Sequence, residues 1–248
     1  MIILKSRREI DRMRVSSSIV AEILIGLRSL VCPGVTTLDL EHYASTEAHR
    51  RNAKCAFRGY HGYPSSLCCS PNNQVVHGVP NNKPLKSGDI SSLDFGVVFD
   101  DFYGDAAITI PVGEVSTAAK SLLAATEESL YAGIEMAVSG NRLGDISSAI
   151  QNYVESRCFS VVRDFVGHGI GRSLHEDPQI PNYGLPGKGI MLRPGMVLAI
   201  EPMINEGSHQ VRVLEDNWTV VTCDGGLSAH FEHTVAITEN GPEILTRI

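Results

Sequence analysis

The chain has 248 residues, 43% of them hydrophobic and 20% charged, and a net charge of −7. That length can bury a sizeable core as one large domain or two small ones, and the acidic balance excludes the broad basic surface on which nucleic-acid binding relies. The start, MIILKSRREIDRM, lacks the apolar h-region of a secretory signal, and no run approaches the roughly 18 apolar residues of a membrane span.

Lys5, Arg7 and Arg8 are the densest basic group and read as a solvated helix face. Ser6 and Glu9 have capping-box spacing, and the helical pattern after them runs to about Val31. A second helix is predicted from about Thr37 to Asn52. QVVHGVP (74–80), DISSLDFGVVF (89–99) and FYGDAAITIPV (102–112) read as strands. Helices over Thr117–Val138 and Gly144–Cys158 repeat the pair, and MVLAIEPMI (196–204), NWTVVT (217–222) and EHTVAIT (232–238) supply more strands. Helices followed by antiparallel strands, twice over, define an α+β chain. Six cysteines, Cys32, Cys55, Cys68, Cys69, Cys158 and Cys223, form no CxxC pair. They fit a reducing cytosol, as small core residues or pocket lining.

The chain also repeats itself. LKSGDISSLD (85–94) and LRPGMVLAIE (192–201) each place an acid six residues after a glycine, Gly88 before Asp94 and Gly195 before Glu201, at an offset of 107. Upstream, Gly34 and Gly140 each stand five before an acid, Asp39 and Asp145, at an offset of 106. Two matches at nearly one offset point to an internal duplication with a half-domain period. One domain over 1–248 is expected, with halves of roughly 1–113 and 114–248, and a site between them would draw an acid from each.

The spacing of the acids carries the chemistry. With Asp100–Asp101 as a two-residue hairpin turn, Phe99 faces Phe102, Gly96 faces Asp105 and Asp94 faces Ala107. Asp94 and Asp105 then share one face as diagonal neighbours. Two carboxylates on apolar strands repel and desolvate poorly unless a cation sits between them. Glu201, in VLAIEPMI, and Glu232, in HFEHTVAI, have equally apolar settings. In GHGIGRSLHEDP (167–178), three glycines within five positions argue against a helix. A loop whose glycines let the backbone crowd a ligand, with His168 and His175 aimed by it, is the remaining reading beside a plain turn. Four acids plus His168 form an oxygen-rich, one-imidazole set that suits manganese, iron(II) or cobalt, and two bridged ions better than one.

Asp94, Asp105, His168 in GHGIGRSLHEDP, Glu201 in AIEPMI and Glu232 in HFEHTV resemble, in this order, the five metal ligands of the type I methionine aminopeptidases. GYHGYPSSLCCSPNNQVVHGVP (59–80) is similar to that family's substrate-side segment, and the likeness spans nearly the whole chain. The resemblance implies the pita-bread fold, in which two pseudo-symmetric halves surround a central dinuclear site. It implies that Asp94 and Asp105 hold one ion, His168 and Glu201 the other, and that Asp105 and Glu232 bridge them. A water shared by the ions is the implied nucleophile, with Glu201 its proton acceptor. His175 would steady the scissile carbonyl as it becomes tetrahedral, and His77 would contact the peptide nitrogen. Tyr60, Tyr63, Cys68 and Trp218 fall where the family lines its methionine pocket. Leu174 stands where phenylalanine is usual, and Phe57 and Arg58 where a small thiol and an aliphatic residue are common, which alters the expected rim.

His61 reads as structural, Glu176 and Asp177 as loop-shaping, and His230 and His233 as flanking a ligand. The implied activity is removal of the initiator methionine from peptides and nascent chains with a small second residue. The implied setting is cytoplasmic and monomeric, with cobalt, manganese or iron(II), or zinc, as the metal. The ribosome is a further candidate partner, and no nucleic acid or membrane is expected. One same-fold alternative is an X-Pro aminopeptidase or prolidase, which usually adds an N-terminal domain where this chain begins almost at its first helix. Type II methionine enzymes carry a long insertion between the last two acids, whereas 31 positions separate Glu201 from Glu232. A non-catalytic binding module of this fold would have lost ligands, and none of the five is missing.

Overall fold

A computed structural model describes residues 2–247. Helix α1 (Arg7–Leu30) opens on the expected capping box: the Ser6 side chain accepts from the Glu9 amide, and Glu9 reaches back to the Ser6 amide. Helix α2 (Thr37–Arg50) starts the same way with Thr36 and Asp39. Helices α3 (Thr117–Glu135) and α4 (Leu143–Glu155) form the second pair.

Among the described residues nine strands assemble the main sheet, in which every pairing is antiparallel, and the others form a two-stranded and a three-stranded sheet. Across it run Lys54–Cys55, Ile90–Phe99, Phe102–Pro111, Glu232–Thr238, Val197–Ile200, Gly167–Gly169 and Glu176–Ile180. Leu67–Pro71 adds to Ile90–Phe99, and Gly241–Ile244 to Glu232–Thr238. The central hairpin has the predicted register, with Asp100 and Asp101 at φ +48° and +63° in the turn. Strand alternation divides the faces. Leu93, Phe95, Val97, Ala106, Ile108, Leu198, Ile200, Val235 and Ile237 join the main core with α1 to α4. The intervening positions carry Asp94, Asp105 and Glu232 toward the other face, where a smaller apolar cluster of Phe57, Tyr63, Cys68 and Leu174 gathers.

The two halves are built alike. Gly34 and Gly140 have φ of +99° and +96°, and Gly88 and Gly195 have +100° and +92°, values at which glycine alone is unstrained. The Gly34 amide donates to the Leu85 carbonyl at 2.8 Å and the Leu85 amide to Val35 at 2.8 Å. The second half repeats this, with Gly140 donating to Leu192 at 3.0 Å and Leu192 to Asn141 at 2.8 Å. Each half therefore ties the turn between its two helices to a leucine five residues ahead of its acid-bearing strand.

Several expectations change. Residues 74–80 form no strand: His77 lies at φ +59°, and only Gln74 makes a bridge, to Val221. The MVLAIEPMI run breaks after Ile200 into Val197–Ile200 and Met203–Asn205, in different sheets, because Pro202 has no amide to continue the ladder. Glu201 thus sits just past its strand. The GHG of residues 167–169 is itself a short strand, and only residues 170–175 are loop. Lys5 is not solvated but 7% exposed. Of the six cysteines, Cys68 and Cys69 are buried, Cys55 is half-buried, and Cys32, Cys158 and Cys223 are exposed, all as free thiols.

Helix α1 lies close on the Phe102–Pro111 strand because position 104 has no side chain. A Cβ on Gly104 would stand 2.8 Å from the Ser17 nitrogen and 2.9 Å from its Cα. Gly104→Ala is expected to cost about 1–3 kcal/mol by forcing the helix outward. Chemical denaturation against the unmodified chain measures it, and an unchanged midpoint would contradict this packing.

Candidate metal centre

The sheet brings all five expected donors to one cavity of about 180 Å³, whose lining includes Asp94, Asp105, His168, Glu201 and Glu232. Asp94 and Asp105 come from the central hairpin, in the diagonal relation predicted for them. Glu232 starts its strand opposite Ala107, one side chain along from Asp105 on the same face. His168 lies opposite Ala199, between two strands. Its flanking glycines are required there: a Cβ on Gly167 would stand 2.4 Å from the Ala199 carbonyl oxygen, and one on Gly169 2.2 Å from that of Asp177.

Donor atoms of Asp105, His168 and Glu232 all lie within 4.8 Å of one another. The His168 Nδ1–H donates to the Gly169 carbonyl at 2.9 Å, which leaves Nε2 as the free lone pair that a metal needs. That Nε2 is 3.5 Å from Glu201 Oε1, while His230 Nε2 faces the other oxygen, Oε2, at 3.6 Å. Burial lowers the His168 pKa to about 3, so its ring is neutral and ligand-ready.

The carboxylates are uncomfortable as they stand. Burial pushes Asp94 up to about 7 and Glu201 up to about 8. Burial, then repulsion from the neighbouring acids, lifts Asp105 and Glu232 well above the usual range. Asp94 Oδ1, Asp105 Oδ1, Glu232 Oε1 and His230 Nε2 are buried without a hydrogen-bond partner. Such orphaned oxygens cost about 1–3 kcal/mol each when nothing compensates them. A divalent cation answers both problems at once, and the set, mostly oxygen with one imidazole, fits it.

The pocket wall rises beside these donors. Phe57, Tyr60, Tyr63, Cys68, Leu174 and Trp218 line the same cavity. Cys68 pairs with Asp94 across the sheet, and burial pushes its thiol up. Trp218 stands edge-on to Tyr63, ring centroids 5.2 Å apart, and the buried Tyr63 hydroxyl donates to the Gly78 carbonyl at 2.9 Å. The expected charge at the rim is absent at Arg58, whose guanidinium donates to Glu41 at 2.8 Å and does not line the cavity.

His175 is exposed at the mouth, with Nδ1 2.9 Å from the Tyr60 hydroxyl and its ring 4.3 Å from that of His168. His77 lines the same cavity, edge-on to Phe165 at 5.5 Å, and burial lowers its pKa to about 4. His61, read from sequence as structural, also lines the cavity. His230, read only as flanking a ligand, is 1% exposed with its ring nitrogen aimed at Glu201. The sequence signal for it was the alternation of HFEH: positions 230 and 232 both carry polar groups in an apolar run.

This constellation, three buried and two half-buried donors beside an apolar slot on a duplicated antiparallel sheet, is that of a metal-dependent hydrolase. The profile of metallopeptidase family M24 matches residues 11–239, and the chain belongs to that family. Within it the likeness is to methionine aminopeptidases. The one from Clostridium perfringens is 56% identical over all of both chains. A crystal structure of methionine aminopeptidase from Thermotoga maritima superposes with a TM-score of 0.98 at 51% identity, covering 100% of each chain. Prolidase from Pyrococcus furiosus shares the fold alone, with a TM-score of 0.78 at 22% identity over 99% of this chain and 66% of that one. Among the described residues no helix is long and apolar enough to cross a membrane.

Without metal, the folded chain holds its acids' protons to higher pH than the unfolded chain, whose carboxyls titrate near about 4. Stability is therefore fully present below that value and is lost as pH rises through about 7 and 8, the values for Asp94 and Glu201. Thermal unfolding of the chelated protein should show this fall. Manganese(II) should raise the midpoint more at about pH 8 than at about pH 5, because it binds the ionised set. An equal metal-induced rise at both would be inconsistent with these four acids forming one site.

Proposed function

We propose that this chain is a dinuclear aminopeptidase that removes the initiator methionine from nascent proteins and peptides, preferring a small second residue. The observation that carries the reading is the convergence of Asp94, Asp105, His168, Glu201 and Glu232 on one side of a small apolar cavity. Asp94 and Asp105 would hold one ion and His168 and Glu201 the other, with Asp105 and Glu232 shared. Manganese, cobalt and iron(II) suit this donor set, and zinc is the softer alternative. When bound, the ions supply Lewis-acid polarisation and bring the pKa of water toward neutrality.

The chain's own residues do the rest. An unbranched thioether fits the slot formed by Phe57, Tyr63, Cys68, Leu174 and Trp218, where aromatic edges and a thiol give polarizable contact. Glu201 would help hold one ion, and its carboxylate would take the proton from water. His175, at the mouth and steadied by the Tyr60 hydroxyl at 2.9 Å, donates to the scissile oxygen as charge develops there. His77, neutral near pH 7, contacts the peptide nitrogen from the opposite side.

The catalytic unit is taken as one domain over 1–248 with halves meeting near residue 113, working as a monomer in the cytoplasm on chain ends as they leave the ribosome. A prolidase reading has only the shared fold behind it, and a purely binding module would not keep all five donors.

Methionine release from a Met-Ala-Ser peptide, abolished by chelation and restored across a manganese, cobalt, iron(II) and zinc series, is the expected result. Glu201→Gln should lower kcat by about 10²–10⁴. Preferential cleavage of Xaa-Pro dipeptides, or full activity in Glu201→Gln, would overturn the assignment.

A further inference from the structure

Glu176 follows His175 directly, and the chemistry above gives it no role. Residues 170–175 lie between two short strands with little ladder of their own, so something must hold the loop. Glu176 Oε1 accepts the amides of Arg172 at 2.8 Å and Ser173 at 3.3 Å, closing the turn from below. Its Oε2 meets the ammonium of Lys5, a residue 171 positions away. The two side chains are only 4% and 7% exposed.

Lys5 is itself pinned. Its amide donates to the Gly195 carbonyl at 2.7 Å, and its Nζ also donates to the Ile3 carbonyl at 3.1 Å. Gly195 is fixed in turn by donating to Ile237 at 2.9 Å, and it opens the turn into the strand that ends at Glu201. The backbone of Lys5 therefore holds the approach to Glu201 while its side chain holds the loop of His175. Two glycines make room for this. A Cβ on Gly171 would stand 2.4 Å from Lys5 Cε and 2.6 Å from Glu176 Oε1, and one on Gly195 2.8 Å from the Lys5 carbonyl oxygen.

A desolvated ion pair is a poor way to gain stability, since apolar residues of similar size often do as well. What it supplies is direction: a charged head in a closed slot has one position. We propose that Lys5 and Glu176 are a positioning pair for the reaction, through which the segment ahead of α1 sets the loop that presents His175. This rests on the role given above to His175. The metal donors lie outside this loop, four on strands and Glu201 just past one, so the side-chain pair acts on the loop without acting on metal retention.

Lys5→Met in the metal-loaded enzyme tests it. The expected outcome is a kcat lowered about tenfold to a hundredfold, the scale of a misplaced catalytic group, with KM and manganese affinity unchanged. Affinity for a tetrahedral aminoalkyl phosphonate should fall while affinity for free methionine holds, because only the former needs His175. Gly171→Ala, which wedges the pair apart without removing charge, should reproduce the pattern and serves if Lys5→Met does not fold. Wild-type kcat with only a lowered melting midpoint, in either variant, overturns the proposal and leaves a structural tie. His175→Ala separates the two levels: an impaired His175→Ala beside an unimpaired Lys5→Met defeats the positioning pair alone, whereas a fully active His175→Ala defeats the role of His175 and the pair with it.

Discussion

Mutual repulsion among four carboxyl groups, two buried and two half-buried, is the constraint on which this molecule is built. Asp94, Asp105 and Glu232 are drawn from three adjoining strands and Glu201 from just past the end of a fourth, and desolvation raises each pKa. No sheet gains stability from such a cluster. It persists because the surrounding alternation leaves it no other place: every second residue of these strands is committed to the core beneath α1 to α4. Cation binding and folding are thus coupled through one set of side chains.

The duplicated architecture explains how the acids meet. Each half uses a glycine at positive φ in the turn that leads into its acid-bearing strand, Gly88 before Asp94 and Gly195 before Glu201. Equivalent turns deliver equivalent positions, so the site falls where the two halves face each other. Asp105 and Glu232 come from neighbouring strands across that junction.

Much of this was legible in residues alone. The hairpin register follows from Asp100–Asp101 and period-two alternation, and it sets Asp94 beside Asp105. The capping box at Ser6 is local chemistry and reads directly. What sequence could not carry was decided by distant partners. His77 leaves the strand pattern because its backbone takes φ +59° against the Val220 segment. Lys5 looks solvated until Glu176 is found beside it, and His230 acquires meaning only when Glu201 is across from it. Arg58 turns from the pocket because Glu41, buried on α2, takes its charge.

Trp218 is the single tryptophan of the chain, and it stands in the wall of the cavity against Tyr63. The indole emission of this protein therefore arises from one place, and that place is the wall of the slot proposed above for the methionine side chain. Occupancy of the slot carries its own optical signal, free of any background from the rest of the fold, and can be followed in real time without a label.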